Sequence, residues 1–472
     1  MNTDDTIVAI ATPAGRGGLG VVRLSGTESA RIAAQVLRPR GAHQELTLTP
    51  WRVRMAELPD KQGALIDRVL VGYFRAPHSY TGEDIVEISC HGAPVVLRFL
   101  VEQCLAAGAR LAEPGEFTLR AFLSGRMDLT QAEAVRDLID AQTLYQAQVA
   151  TQQMEGAVSH WLAPLKQRLV DLIALLEAGT DFAEDDVSVP ATDEIRRRLE
   201  ALERGLRSLA DGFRTGKIIH QGLTLAIVGR PNVGKSSLFN CLLEQDRAIV
   251  TASPGTTRDL VAETVEIGGI PLRFVDTAGV RHAFNEAESI GVRKSLEAAA
   301  DSDLALLVFD GAAEFAAEDR DLLQRLYPVG KLLLVVNKCD QPLRLSQSAL
   351  EAELGRLRGE TGNGRRSTPI RFVSALEHKG IEDLRQAILQ AAVPALSGSR
   401  ESQWLTNVRH ERLVCEALDS LGAARRALTE NLPHEMLLLD LYNALRPLDA
   451  ITGQTTVEDI LTQIFSTFCI GK

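Results

Sequence analysis

No apolar run in this sequence approaches the ~18 residues that would span a bilayer, and Met1 to Asp5 is acidic where an export signal would be basic. Membrane insertion and secretion are therefore not expected, and a soluble, cytoplasmic protein is. Cysteine is scarce: the six residues at 90, 104, 241, 339, 415 and 469 show no Cys-x-x-Cys spacing. That argues against a disulfide framework and a zinc site alike, and predicts reduced thiols. Basic charge is in deficit too. A formal net charge of -11 repels phosphate at long range, so a nucleic-acid partner would have to meet a local basic patch.

What is present is ordinary globular material, 45% hydrophobic and 24% charged over 472 residues. At about 100–200 residues per domain, that length implies three domains. The first part alternates short apolar runs, such as Ile7 to Ala11 and Val69 to Phe74, with Gly/Pro turns, the pattern of a mixed α/β domain over 1–126. Helical texture follows over 127–221. Thr130 with Glu133 reads as a capping box, and Trp161, Leu165, Leu169, Leu172 and Leu176 recur at helical spacing. Over 222–396, strands alternate with helices: Leu223 to Val228, Leu272 to Val275, Leu304 to Phe309, Leu332 to Val336 and Ile370 to Val373. This predicts a mostly parallel sheet with helices on both faces. Gly268-Gly269 between two apolar runs predicts a hairpin that adds one antiparallel strand. Helical texture returns over 397–472, so the economical architecture is a split helical domain carrying an inserted α/β domain.

The inserted part holds the chemistry. Gly229-Arg230-Pro231-Asn232-Val233-Gly234-Lys235-Ser236 is a phosphate loop in the required strand-to-helix setting. Its backbone N–H groups would cradle phosphates at a helix N-terminus, Lys235 would neutralise phosphate oxygens, and Ser236 would offer its hydroxyl to magnesium. Ser237 follows as a further nucleotide contact. Asp276-Thr277-Ala278-Gly279 closes the next strand, with Asp276 behind the magnesium ligands and the Gly279 N–H able to sense the γ-phosphate. Asn337-Lys338-Cys339-Asp340 closes another. Guanine presents N1–H and an exocyclic amine on one edge, so a carboxylate at Asp340 selects GTP over ATP, with Asn337 and the Lys338 stem supporting the base. Ser374-Ala375-Leu376 follows the last strand, where a backbone N–H could meet the guanine oxygen. The hydroxyl-rich stretch Thr251-Ala252-Ser253-Pro254-Gly255-Thr256-Thr257 reads as a switch loop, with Thr257 the second hydroxyl on magnesium. Val280 occupies the place where many small GTPases carry a water-orienting glutamine, so another residue must serve; Glu288 is the candidate.

Together with Gly-Thr-Thr-Arg-Asp at 255–259, Asp5-Thr6-Ile7-Val8-Ala9, Gly15-Arg16-Gly17-Gly18, Ser79-Tyr80-Thr81-Gly82-Glu83-Asp84, His91-Gly92, Pro114-Gly115-Glu116-Phe117 and the chain end Phe468-Cys469-Ile470-Gly471-Lys472, these motifs closely resemble the MnmE (TrmE) family of tRNA modification GTPases. The resemblance covers the whole chain. It implies an N-terminal domain that binds folate and dimerises, a split helical domain, and an inserted Ras-like P-loop GTPase domain. It also implies a homodimer that works with a flavin-dependent partner, MnmG, in a heterotetramer or larger assembly. That assembly would add an aminomethyl or carboxymethylaminomethyl group at carbon 5 of the wobble uridine of certain tRNAs, with 5-formyl- or methylene-tetrahydrofolate supplying the one-carbon unit.

By the same resemblance, potassium takes the place of an arginine finger, held by Asn232 with Thr251, Ser253 and Thr256, and Glu288 positions the attacking water. The folate positions are Arg23, Glu87, Arg126 and Lys472; Arg126 stands where some relatives have lysine. Cys469 is a candidate nucleophile or redox group beside Lys472. The alternative for Cys469 is a buried cysteine packed against Phe465 and Phe468. A competing reading of the whole chain is an RNA-binding switch GTPase of ribosome assembly, which would share every nucleotide motif. Neither flank carries a Gly-x-x-Gly clamp or an aromatic-basic stacking surface to support it.

Overall fold

A computed structural model describes residues 5–40, 46–181, 191–244, 264–275, 296–329, 331–361, 368–392, 405–454, 461 and 464–471. The chain divides into two compact units, one comprising Met1–Arg136, Thr151–Val189 and Asn431–Lys472, the other Asp137–Ala150 and Pro190–Glu430.

In the first unit, the early apolar runs form β1 (Ile7–Ile10), β2 (Gly20–Ser25), β3 (Arg38–Pro39), β4 (Val53–Pro59), β5 (Leu65–Phe74), β6 (Ile85–Cys90) and β7 (Arg110–Leu111). They make one sheet in the order β3-β4-β5-β6-β2-β1-β7. Only the β1–β7 pair is parallel. Because successive strand residues face opposite ways, Val69, Val71, Val86 and Ile88 enter one core with the helices Ser29–Val36 and Pro94–Ala106. Glu87, between Val86 and Ile88, turns to the other face and stands directly across from Arg23 of β2.

A buried ion network ties the motifs of this unit together. The Arg120 side chain is 2% exposed. It donates to Asp5 Oδ1 at 2.5 Å, to the Asp5 carbonyl at 2.8 Å, to Glu116 Oε1 at 2.9 Å and to Glu83 Oε1 at 3.2 Å. Arg110 adds bonds to Asp5 and Glu116. A guanidinium out of water needs this many acceptors to offset its desolvation. Asp5, Glu83 and Glu116 therefore belong to the structural part of the motifs that contain them.

The helix Leu129–Asp140 starts two positions earlier than a Thr130 cap would set. Asp128 Oδ1 accepts from Gln131 N and Gln131 Oε1 accepts from Asp128 N, both at 2.9 Å, so the reciprocal pair is Asp128 with Gln131 rather than Thr130 with Glu133. Thr130 instead donates its hydroxyl to Asp128 at 2.7 Å. The expected helical stripe lies on Ala157–Asp181, with Leu165, Leu169, Leu172 and Leu176 buried.

In the second unit, the long helix Thr192–Gln221 leads into β8 (Leu223–Val228), followed by β9 (Thr264–Ile267), β10 (Ile270–Phe274), β11 (Leu304–Asp310), β12 (Leu332–Asn337) and β13 (Ile370–Phe372). The sheet order is β13-β12-β11-β8-β10-β9, parallel except for the β9–β10 hairpin. Gly268 and Gly269 form its turn with φ of 59° and 87°, the double left-handed conformation that glycine adopts without a Cβ clash. Both sheet faces are covered. Leu225 and Ile227 pack with Leu238, Leu242, Leu384 and Ile388, while Ala226 and Val228 pack with Leu322, Leu350 and Leu354. That is why these strands read as continuous apolar runs.

The ion network makes the first unit acid-sensitive. The Arg110 hydrogen bond, against burial, holds Asp5 below its ordinary 3.8. Burial pushes Glu116 up, but bonds from Arg110, the Glu113 backbone and Arg120 more than offset it and hold the group below 4.5. Depressed folded-state values mean that the unfolded chain binds more protons, so this stabilisation is complete above the ordinary values and is lost as pH falls through the folded ones. We expect the thermal midpoint to fall as pH is taken from about 6 to about 3.5. Arg120→Met should flatten that dependence while costing roughly 3–5 kcal/mol at neutral pH, as read by denaturant titration.

Candidate functional site: the nucleotide-binding loops

The carboxyl ends of β8 and β12, and the turn after β13, bring the nucleotide motifs to one edge of the sheet. Between β8 and the helix Lys235–Glu244, Asn232 and Gly234 take φ of 64° and 94°. A Cβ on Gly234 would lie 2.2 Å from the Asn337 amide nitrogen, so only glycine admits the neighbouring strand at this distance. Lys235 Nζ donates to the carbonyls of Gly229 and Arg230 at 2.8 and 2.7 Å, curling its side chain back over the loop. Burial pushes its ammonium below the ordinary lysine range, which phosphate oxygens would reverse. Val233 is buried beneath the loop, and Asn232, Ser236 and Ser237 are on the exposed side.

Asn337, 2% exposed, is the hub. Its Nδ2 donates to the Val233 carbonyl and its Oδ1 accepts from Ala375 N, both at 3.0 Å. One amide thereby spans phosphate loop, base strand and base turn. Lys338, with φ 65°, turns its ammonium to Asp310 Oδ2 at 2.6 Å. Ser374, fully buried, donates its hydroxyl to Asp340 Oδ1 at 2.5 Å. That bond, followed by a backbone one and the nearby Lys379 and Lys338 charges, holds the Asp340 carboxyl below its usual range. The carboxylate is therefore ionised and oriented, with further lone pairs to accept from a base edge. Leu376 is 79% exposed at the rim.

Two supports escaped the sequence reading. Asp310 ends β11 as Asn337 ends β12, in direct register; an acid at the end of an apolar strand was the available signal. Arg230, inside the phosphate loop, pairs with the buried Asp319 at 2.6 Å, and no local pattern marks that contact. Thr251, Ala252, Ser253, Pro254, Gly255, Thr256, Thr257, Asp276, Thr277, Ala278, Gly279, Glu288 and Lys472 lie outside the described residues.

In the first unit, Arg23 Nε and Nη2 both reach Glu87 Oε1, at 2.9 and 2.7 Å. The Arg23 guanidinium lies beside the Tyr80 and Phe117 rings and, at 3.5 Å, the Gly471 carbonyl. The chain end thus returns to the two sheet residues expected for folate. Arg126 is exposed, with its side chain against Gly82 of the Ser79–Asp84 loop. Cys469 is exposed and its carbonyl accepts from Gly115 N at 3.4 Å. The buried alternative for it is set aside: Phe465 and Phe468 pack against each other with tilted rings, centroids 5.4 Å apart, and share a core with Leu119, Leu129 and Ala132 instead.

A parallel sheet with one antiparallel edge strand, a phosphate loop after its central strand, and a buried Asn with an oriented Asp at the base end define a P-loop GTPase. Comparison with known proteins agrees. Residues 6–126 match the family model described as GTP-binding protein TrmE N-terminus, and residues 129–469 match that of the MnmE helical domain. The tRNA modification GTPase MnmE of Koribacter versatilis (strain Ellin345) is 57% identical over 473 residues, covering 100% of both chains. That of Aquifex aeolicus (strain VF5) is 41% identical over 469 residues, covering 99% of this chain and 100% of the relative. Among solved structures, the FeoB G-domain from Methanococcus jannaschii is 28% identical with a TM-score of 0.25, covering 36% of this chain and 97% of that one. The chain belongs to the MnmE family of tRNA modification GTPases.

Removing the hub should separate the loops it joins. Asn337→Ala would orphan the buried Val233 carbonyl and Ala375 N–H, at about 1–3 kcal/mol each, so GDP affinity should fall at least tenfold, roughly the lower end of that range. Displacement of a fluorescent GDP analogue measures this. Affinity within twofold of the parent protein would show that the loops hold their places without Asn337.

Proposed function

We propose that this protein is a potassium-activated GTP hydrolase that, as a homodimer and with the flavin-dependent partner MnmG, adds an aminomethyl or carboxymethylaminomethyl group at carbon 5 of the wobble uridine of certain tRNAs. The observation that carries the GTP part is the Asn337 hub, with Lys235 at one end and the Ser374-oriented Asp340 at the other. Family membership over the whole chain favours tRNA modification over the ribosome-assembly reading. No helix among the described residues is long and apolar enough to cross a membrane, and the reading places the protein in the cytoplasm.

In this reading Lys235 leaves its loop carbonyls for the β- and γ-phosphate oxygens, and the loop N–H groups orient the phosphate chain. Asp340 accepts the N1–H and amine of guanine while the Ala375 N–H meets its oxygen. Ser236 and Thr257 would hold magnesium; Asn232, Thr251, Ser253 and Thr256 would hold potassium. Asn232 suits that task, since its left-handed backbone sets its side chain on the exposed side of the loop. When bound, the two cations would supply positive charge to offset the negative charge developing on phosphate oxygens. Glu288 positions the attacking water.

A formyl- or methylene-tetrahydrofolate would lie against Arg23 and Glu87, with Arg126 and Lys472 for its glutamate tail. The donor set fits. Both Arg23 contacts fall on Glu87 Oε1, and among the described residues none falls on Oε2, which can accept from the N–H edge of a pterin. Cys469, exposed near this end of the chain, is the candidate nucleophile or redox group.

GTP turnover should be strongly faster in potassium than in sodium at matched ionic strength, and Asn232→Ala should abolish the difference. Equal rates in both salts would overturn the potassium part of the reading. For folate, Glu87→Gln should weaken binding of 5-formyltetrahydrofolate about tenfold or more, a charge-assisted hydrogen bond being worth roughly 1.5–3 kcal/mol. Equilibrium dialysis measures it, and unchanged affinity would remove Glu87 from the pterin site.

A further inference from the structure

The turn assigned to the guanine oxygen is closed on itself. Ser374 and Lys379 exchange backbone hydrogen bonds of 3.0 and 3.1 Å, and Ser374 Oγ accepts from Glu377 N at 3.1 Å. At one end this turn is anchored to the sheet through Ala375 N and Asn337. Its tip projects: Leu376, Glu377, His378 and Lys379 are exposed, and the Lys379–Glu377 ion pair lies within the turn itself. His378 takes φ 55°, a left-handed backbone uncommon for a residue with a side chain. That conformation aims its ring at Cys241, with 3.1 Å from Nδ1 to Sγ. Cys241 is 2% exposed and lies on the helix Lys235–Glu244. The helix whose first turn follows the phosphate loop thus also carries, further along, the anchor for the tip of the base turn.

We propose that the Cys241–His378 contact is a latch that sets the tilt of the base turn against the helix that follows the phosphate loop, and so makes Cys241 and His378 positioning residues for recognition of the guanine C6 oxygen. The inference rests on the reading that the Ala375 N–H meets that oxygen. Asn337 fixes where the turn begins, and the latch fixes its tilt. A hydrogen bond to a carbonyl oxygen weakens steeply as its angle departs from linear, so a turn held at one end loses selectivity before it loses its fold.

The test measures dissociation constants for GDP and 6-thio-GDP with the full-length protein. The two nucleotides differ only in the atom attached to C6, oxygen or sulfur, and present the same N1–H and amine to Asp340, and sulfur is the weaker acceptor. The unaltered protein should prefer GDP. In Cys241→Ala and in His378→Ala, GDP affinity should drop by about three- to tenfold, the net worth of one hydrogen bond, while 6-thio-GDP affinity changes less. The preference therefore narrows. Cys241→Ser should restore it, because a hydroxyl, like a thiol, can donate to Nδ1 or accept from it, whereas a latch that merely fills space would not distinguish serine from alanine.

Thermal midpoints are recorded alongside, and should His378→Ala fold poorly, the two Cys241 variants carry the comparison. Equal loss of affinity for both nucleotides, or an unchanged preference in Cys241→Ala, would overturn the latch and leave the reading of the base turn standing. Equal affinity of the unaltered protein for both nucleotides would overturn that reading and the latch with it.

Discussion

The nucleotide half of this molecule depends on one buried amide. Asn337 can donate two hydrogen bonds and accept two, and its known partners lie on two separate loops: the Val233 carbonyl and the Ala375 N–H. A buried polar group must be satisfied or it destabilises the fold, so the requirement that keeps Asn337 inside also brings phosphate loop and base turn into register. Gly234 follows from it, since any side chain there would collide with the amide. The orientation of Asp340 follows in turn, because Ser374, adjacent to Ala375, donates to it. Lys338 and Asp310 brace the same strand ends from the side.

The first unit solves a similar problem with charge. Arg120 is out of water, and its bonds to Asp5, Glu83 and Glu116 draw the segment before β1, a loop and a helix to one point. A desolvated guanidinium tolerates few arrangements of its acceptors, which makes the network specific even where its net stabilisation is modest. On the opposite face of the same sheet from the apolar core, Arg23 and Glu87 pair across neighbouring strands and meet the returning chain end at Gly471. In both units a strand end or sheet face is prepared by polar groups that are themselves held by other polar groups.

Much of this was legible in the order of residues. The phosphate loop is a run of consecutive positions, so its backbone shape depends on local rules and could be read directly. The Gly268-Gly269 turn needed only the left-handed preference of glycine, and the sheet's burial on both faces showed in unbroken apolar runs such as Leu304 to Phe309. Reading failed where a choice between near neighbours depended on geometry. Asp128 with Gln131 and Thr130 with Glu133 are both plausible capping pairs, and the chain's entry into the helix selected the first. Cys469 could have been buried with Phe465 and Phe468. Those rings pack with each other and with Leu119, Leu129 and Ala132, leaving the thiol exposed.

By itself the sequence determined which chemical groups are present and in what order: a lysine and serine after a glycine loop, and an Asn and an Asp closing one strand. These depend on neighbours in the chain, through turn preference and the period of burial. Only the tertiary structure decided which groups meet. Asn337 joins residues 104 and 38 positions away, Arg120 reaches Asp5 across 115, and Arg23 meets Gly471 across 448. Contacts at such separations arise from the packing of whole faces that must exclude water together, and no local pattern carries that information.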